Sequence, residues 1–313
     1  MKKQEVKHYL NKCFHGFYGE DRQGIVSGKV RDIIYRENEL IITATDRISA
    51  FDRVLGTIPC KGEVLNRTAL YWFERTSDIV ENHILEPITP RTVRVKKSDV
   101  LPVEVVVRGY LTGSAWRDYS KGRPVSGITL PKGMQWNQGF ETPLITPSTK
   151  AEQGKHDMPI SCEEIVSTGL VEEGLWKQVA RTAIHLFQRG TELAAANGLI
   201  LVDTKYEFGT INGKLVLIDE IHTPDSSRFW YADTYQELFR AGKKQRKLDK
   251  EYLRQWLMDQ GFQGDGDPPE IPDDVRIEVA WRYIQAYEAI TGKKFRPKTG
   301  FPEAERKKVL SYL

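Results

Sequence analysis

Apolar positions along the chain fall into two kinds of pattern. Leu199–Val202, Leu215–Ile218 and Pro102–Val107 are short, nearly continuous apolar runs of strand length, and Val93 and Val95 alternate with polar neighbours as a half-buried strand does. Elsewhere the spacing is helical. Leu65, Ala69, Trp72 and Phe73 predict a helix over Glu63–Thr76, and Val179, Ala183, Leu186 and Leu193 predict one over Leu175–Asn197, stopped by Gly198. Further helices are predicted over Tyr231–Phe239, Lys250–Met258, 273–290 (capped by Asp273 and stopped by Thr291-Gly292) and 302–313. Residues 24–55 read as a β-rich module: Ile25-Val26, the tight loop Ser27-Gly28-Lys29, Val30–Tyr35, then Glu39–Thr43. Thr45–Asp52 is polar and reads as a turn, and residues 120–149 read as a long loop or paired irregular strands.

The stretch Leu199–Trp230 carries the strongest local signal. Asn212-Gly213 between two β-forming runs predicts a hairpin. Its strand ends bear Asp203, Lys205 and Glu207 on one side and Asp219 and Glu220 on the other. Two carboxylates about 5 Å apart repel by roughly 3 kcal/mol at an effective dielectric of about 20, a cost that a bound cation removes. Oxygen-rich clusters of this kind suit Mg²⁺, which takes one or two carboxylates plus nucleotide phosphates. Side chains two apart share a strand face, so Asp203, Lys205 and Glu207 point one way. A two-residue turn sets Asp219 opposite Tyr206, on the other face. A three-residue loop, Ile211–Gly213, sets it opposite Lys205, and the metal reading requires that loop. The alternative is a surface hairpin with solvated acidic ends.

Composition narrows the class. The 313 residues are 40% hydrophobic and 28% charged, with mean hydropathy -0.48, as expected of a soluble globular protein. A net charge of +3 is too small to argue for nucleic acid. The polar start Met1–Glu5 lacks a signal-peptide core, and no apolar run reaches the ~18 residues of a membrane span. Cys13, Cys60 and Cys162 have no metal spacing, which points to a reducing cytoplasm. The Ser27–Arg31 loop could bring backbone amides and the charges of Lys29 and Arg31 to a phosphate, although GxxxxGK[ST] is absent and an ordinary hairpin turn fits as well. Arg108–Trp116 joins an arginine at a strand end to two glycines and a serine, either an anion pocket or a salt-bridged turn. His156-Asp157 offers ligands or a loop cap, and the basic run Lys243–Lys250 reads as a solvated helix face.

Taken together, Ser27–Asp32, Thr45–Asp52, Val105–Ser114, His156-Asp157, Val202–Gly209 and Ile218–Trp230 resemble, in order, the phosphoribosylaminoimidazole-succinocarboxamide synthase (SAICAR synthetase) family. The resemblance runs from about residue 15 to about residue 240. It implies an α+β, ATP-grasp-like fold: a smaller N-terminal β-rich nucleotide lobe (1–112), a larger C-terminal lobe (113–313, helical from about 231), and the active-site cleft between them. It implies a cytoplasmic, ATP- and Mg²⁺-dependent ligase, monomer or homodimer. That ligase joins carboxyaminoimidazole ribonucleotide to L-aspartate through an acyl phosphate, with no nucleic-acid or membrane partner. By position, Gly28, Lys29 and Arg31 would lie over the nucleotide phosphates, and Val95 and Lys96 would contact adenine. Glu207 and Asp219 would hold Mg²⁺-ATP, and Asp203 and Lys205 would line the reacting centre. Arg108, Ser114 and Arg228 would take the ribonucleotide phosphate. Asp52, Lys150 and Asp157 would complete the substrate site, the last two on a mobile loop. Two rivals share some of these features: a phosphotransferase with the same ATP site, and an RNA-binding protein using the basic run.

Overall fold

The computed structural model describes residues 1–17, 24–150, 158–248, 251–298, 300 and 302–312. In chain order the elements begin with helix α1 (Lys3–Val6), strands β1 (Ile25–Ser27), β2 (Arg31–Tyr35), β3 (Glu39–Ala44), β4 (Arg47–Ala50) and β5 (Arg53–Thr57), then α2 (Lys61–Arg75). They continue with β6 (Ile84–Thr89), β7 (Thr92–Lys96), β8 (Asp99–Tyr110), α3 (Gly113–Tyr119), β9 (Gly139–Ile145), β10 (Ser148–Thr149), α4 (Cys162–Ser167) and α5 (Glu173–Ala196). The last are β11 (Leu199–Ile211), β12 (Lys214–Ile218), β13 (Ser227–Tyr231), α6 (Ala232–Arg240), β14 (Lys247–Leu248), α7 (Glu251–Asp259), α8 (Asp273–Thr291) and α9 (Pro302–Leu310). Among the described residues no helix is long and apolar enough to cross a membrane.

Packing groups the chain into two compact units, and neither is one continuous segment. The first holds Met1–Tyr71, His83–Lys97 and Leu248–Leu313; the second holds Trp72–Asn82 and Ser98–Lys247.

In the first unit an antiparallel sheet runs in the order β1-β2-β3-β7-β6. Alternation fixes its register: Ile34 faces Ile41 and Leu40 faces Val95, so apolar residues meet across each ladder. One face packs Ile34 and Ile41 with Phe14, Phe17, Ile88 and Val309 of α9. A second cluster joins Ile48, Val64 and Leu65 to Leu253, Val279, Ile284 and Tyr287, which tells why α7 and α8 return to this unit. Burying each such side chain is worth about 1.5–3 kcal/mol. Gly292, at φ 67°, ends α8 in the left-handed conformation that only glycine adopts without strain.

Thr45–Asp52 is a turn only at its end, Phe51-Asp52. It forms β4 and the corner of a two-stranded hairpin with β5, and Thr45, Asp46, Arg47 and Ile48 are buried. Polarity suggested exposure; partners distant in sequence make burial tolerable. Asp46 accepts from the Phe14 and Gly62 amides and from Arg91, and Asp32 from the Phe17 amide and Arg47.

The second unit is built on β11. It pairs with β8 along one edge, and along the other with β13 and then β12. Helix α5 packs on it so closely that a Cβ on Gly190 would lie 2.8 Å from Leu201. The β11–β12 connection is a two-residue turn, with Ile211 opposite Lys214 and Glu207 opposite Ile218. Asn212 and Gly213 both have positive φ, 51° and 76°, as this tight hairpin turn requires. The three-residue loop on which the metal reading's parity argument depends is therefore not formed. Parity itself stops one residue short of Asp219, because β12 ends at Ile218 and Asp219, at φ 66°, leaves the ladder.

Candidate active site

The front face of β11 brings together two rows of charge. In the first, three residues stand directly opposite one another across three strands: Arg108 of β8, Asp203 of β11 and Arg228 of β13. Asp203 accepts from Arg108 Nη1 at 3.2 Å and from Arg228 Nε at 3.0 Å. Arg108 also donates to Thr146 Oγ1 (2.8 Å) and to Ser114 Oγ (3.0 Å), which locks its planar fork. Burial pushes the Arg108 pKa down, and Asp203 pulls it back. Arg228 crosses Gly113, where a Cβ would fall 2.1 Å from Nη1, and Gly113 has φ 61°. Glycine there answers both a close approach and a left-handed backbone. Arg108, Ser114 and Arg228 thus stand together, with Asp203 between the two arginines.

Two residues along the strand lies the second row. Lys205 Nζ donates to Glu207 Oε1 at 2.6 Å and to Glu104 Oε1 at 2.7 Å; Lys150 Nζ donates to the other oxygen of Glu207. Glu104 stands directly opposite Glu207 on β8. The like charges that suggested a bound cation are therefore held apart by two ammonium groups of the protein itself. Burial alone would lower the Lys205 pKa, but Glu207 and Glu104 outweigh it and hold the proton on. Burial alone would raise that of Glu207, but Lys205 and Lys150 outweigh it and bring it down to about 2. Glu104 escaped the sequence reading because it sits inside the apolar run Pro102–Val107; a lone carboxylate in such a run was the available signal.

Behind this face, Tyr206 is fully buried and shares a 2.6 Å hydrogen bond with His222 Nε2. His222 packs edge-on to Trp72, and burial pushes its pKa down to about 3, so the imidazole is neutral. The bond ties the loop after β12 to β11. The same loop is closed by Thr223 and Ser226, and the Lys205 amide donates to Ser226 O.

In the first unit, Gly28 and Lys29 lie exposed between β1 and β2, and the half-buried Arg31 opens β2. Lys29 Nζ pairs with Asp52 at 2.6 Å, both side chains more than half exposed. Asp52 and Phe51 have φ of 61° and 51°, a left-handed pair costing about 1–3 kcal/mol each. Val95 is buried and paired with both Leu40 and Ile84, while the Lys96 amide donates to His83 O. Asp157 lies outside the described residues. Among those residues no group of three or more His, Cys, Asp or Glu side chains is placed to hold a metal.

This is an α+β protein whose central strand gathers an arginine–aspartate row beside a lysine–carboxylate cluster. The SAICAR synthetase family profile matches residues 24–270. A phosphoribosylaminoimidazole-succinocarboxamide synthase of Bacteroides thetaiotaomicron is 47% identical over 311 residues, covering 97% of this chain and 98% of its own. One of Legionella pneumophila is 48% identical over 280 residues, covering 86% and 88%. Among solved structures, SAICAR synthase from Saccharomyces cerevisiae complexed with SAICAR superposes with a TM-score of 0.80 at 34% identity, over 91% of this chain and 100% of that one. A SAICAR synthetase in complex with ADP gives 0.66 at 27% identity, over 87% and 100%. The chain belongs to the SAICAR synthetase family, ligases of purine biosynthesis that join carboxyaminoimidazole ribonucleotide to aspartate.

Proposed function

We propose that this chain performs its family's ligation with ATP, releasing ADP and phosphate by way of an acyl phosphate. The observation that carries this reading is the β11 face, where an aspartate held between two arginines and a lysine-held carboxylate pair stand two residues apart on one strand. A carboxylate resists attack by an amine because oxide would have to leave. The ribonucleotide carboxylate oxygen therefore attacks the γ-phosphorus of ATP, and ADP leaves. The aspartate amine then attacks the acyl carbon, loses a proton, and expels phosphate. Arg108, Ser114 and Arg228 hold the ribonucleotide phosphate, the planar arginine forks matching its oxygens. Lys205, kept protonated, balances charge at the moving phosphoryl group. Asp203 keeps both arginines aimed. Lys150, Asp52 and Asp157 complete the substrate side; Gly28, Lys29 and Arg31 cover the nucleotide phosphates, and Val95 and Lys96 lie by adenine, in an ATP-grasp-like fold.

The donor set bears on Mg²⁺ through Glu207, which stays ionised even though half-buried. Glu207 and Asp219 are the carboxylates that would hold the metal, and a bound Mg²⁺ would supply charge neutralisation at the nucleotide phosphates. A cytoplasmic location accords with three free cysteines, two of them buried.

The test supplies ribonucleotide labelled with heavy oxygen in its carboxylate, together with ATP, Mg²⁺ and aspartate. Each turnover delivers one labelled oxygen to inorganic phosphate, and ADP release depends on aspartate. Unlabelled phosphate or AMP among the products rules out the acyl-phosphate route; ADP release without aspartate makes the chain a phosphotransferase.

A further inference from the structure

Arg47, within the buried polar stretch after β3, takes no part in the chemistry above. Its guanidinium lies beneath the Gly28–Arg31 turn and donates to a row of carbonyls: Gly28 O at 2.9 Å, Lys29 O at 3.2 Å and Arg31 O at 3.2 Å. The remaining carbonyl, Val30 O, accepts from the amide (3.0 Å) and hydroxyl (2.8 Å) of Thr45. All four consecutive carbonyls of the turn therefore point inward. In a trans peptide the C=O and the next N–H point opposite ways. Fixing the carbonyls of Gly28 and Lys29 inward thus turns the amides of Lys29 and Val30 outward. No acceptor among the described residues takes either amide.

The guanidinium is itself fixed. It is 3% exposed, ion-paired with the fully buried Asp32 at 2.7 Å, and bonded to His15 O at 2.6 Å. Gly16 makes room for it, since a Cβ there would lie 2.3 Å from both Arg47 Nη1 and Asp32 Oδ2. A buried five-donor fork saturated with acceptors is more than the turn needs in order to close. The turn already has its own closing bond, Gly28 N to Arg31 O at 2.7 Å.

We propose that Arg47 is a positioning residue for the nucleotide, holding the turn's carbonyls inward so that the Lys29 and Val30 amides form a two-donor seat for a phosphate. This rests on the reading that Gly28–Arg31 faces the nucleotide. Successive outward amides make an anion-binding concavity without any side chain touching the ligand. The lysine ammonium adds charge over it but does not set its shape.

The experiment measures ADP binding in the presence of Mg²⁺ by calorimetry, steady-state kinetics, and thermal melting, for the wild type, Arg47→Lys and Asp32→Asn. Arg47→Lys keeps the charge but loses the fork. It weakens ADP binding and raises KM for ATP by about tenfold or more, while kcat at saturating ATP stays within about threefold and KM for aspartate is unchanged. A merely structural arginine would lower the melting temperature and the active fraction but leave the ADP affinity as it was, and that result overturns the proposal. Should Arg47→Lys fail to fold, Asp32→Asn decides by the same readout, with a weakening of several-fold expected because the anchor charge is lost. Wild-type protein that does not bind ADP at all refutes the nucleotide reading, and the seat falls with it. A wild type that binds alongside variants that bind equally well refutes the role of Arg47 alone.

Discussion

The row through Asp203 and the row through Lys205 share one strand and one face, yet they arrange charge in opposite senses. In the first a single carboxylate sits between two arginines, each directly across a ladder from it, and positive charge is left in excess. In the second two lysines sit among two carboxylates and the charges balance. The arginine row is rigid, because Arg108 has Thr146, Ser114 and Asp203 on its planar fork. The lysine row depends on flexible stems that can exchange one anionic partner for another. Excess charge on a fixed frame suits holding an anion that does not react, and balanced charge on mobile stems suits a group that moves. Neighbouring positions on β11 thus gather different cations, arginines from β8 and β13 around Asp203 and the lysine of β11 itself among the carboxylates.

Breaking the lysine row has the largest expected effect. Lys205→Met leaves Glu104 opposite Glu207 without the ammonium between them and lowers turnover by roughly a hundred- to a thousandfold, with the melting curve still cooperative. Turnover within a factor of about three of the wild type would remove Lys205 from the reacting centre. Breaking the arginine row is milder. Arg108→Lys keeps a cation beside Asp203 but loses the second and third prongs, and binding of the ribonucleotide weakens by roughly tenfold with ATP affinity unchanged. Calorimetry showing the reverse pattern would place Arg108 on the nucleotide side.

The smallest effect sharpens the comparison in acid. Glu207 is held at about pKa 2, below its ordinary 4.5, by Lys205 and Lys150 against the opposing pull of burial. A depressed carboxylate lends stability above its unfolded pKa and loses it as the pH falls through the folded one. The Glu207 contribution is therefore present above about pH 4.5 and lost toward about pH 2, and Glu207→Gln flattens that limb of a pH–stability curve. An unchanged limb would show that the lysines do not stabilise the folded carboxylate.

Much of this frame is legible in the sequence where structure follows from short-range chemistry. Helical spacing located α2 and α5 to within a residue or two, Asn212-Gly213 located the hairpin, and Gly292 located the end of α8. The strand run 102–107 was found but not its full extent, Asp99–Tyr110, because Val100 and the charged ends lie outside the apolar stretch. What escaped was set by partners far away in the chain. Thr45–Asp52 reads as a polar turn until Asp46 meets Arg91 and Arg47 meets Asp32. The parity argument that tied the metal reading to a three-residue loop assumes that β12 reaches Asp219, and a left-handed residue ends the strand first. Among the site residues, those on β8, β11 and β13 were assembled as expected, since one strand and its two neighbours carry them. Glu104 was missed because the pairing that sets it against Glu207 is a register, and register is invisible in either strand alone.

The discontinuity of the first unit bears on how the chain is made. Its sheet is finished by residue 97, but the helices that bury it, and Glu305 that meets Arg91, come only after the whole of Ser98–Lys247. A chain emerging N-terminus first has all of the second unit in hand while the first still lacks α7, α8 and α9. Until the last helix arrives, Ile34 and Ile41 have no Val309 to pack against, and the Arg91 guanidinium has one carboxylate where it will have two. The order of synthesis thus leaves the β1-β2-β3-β7-β6 sheet with exposed apolar surface until α9 is made.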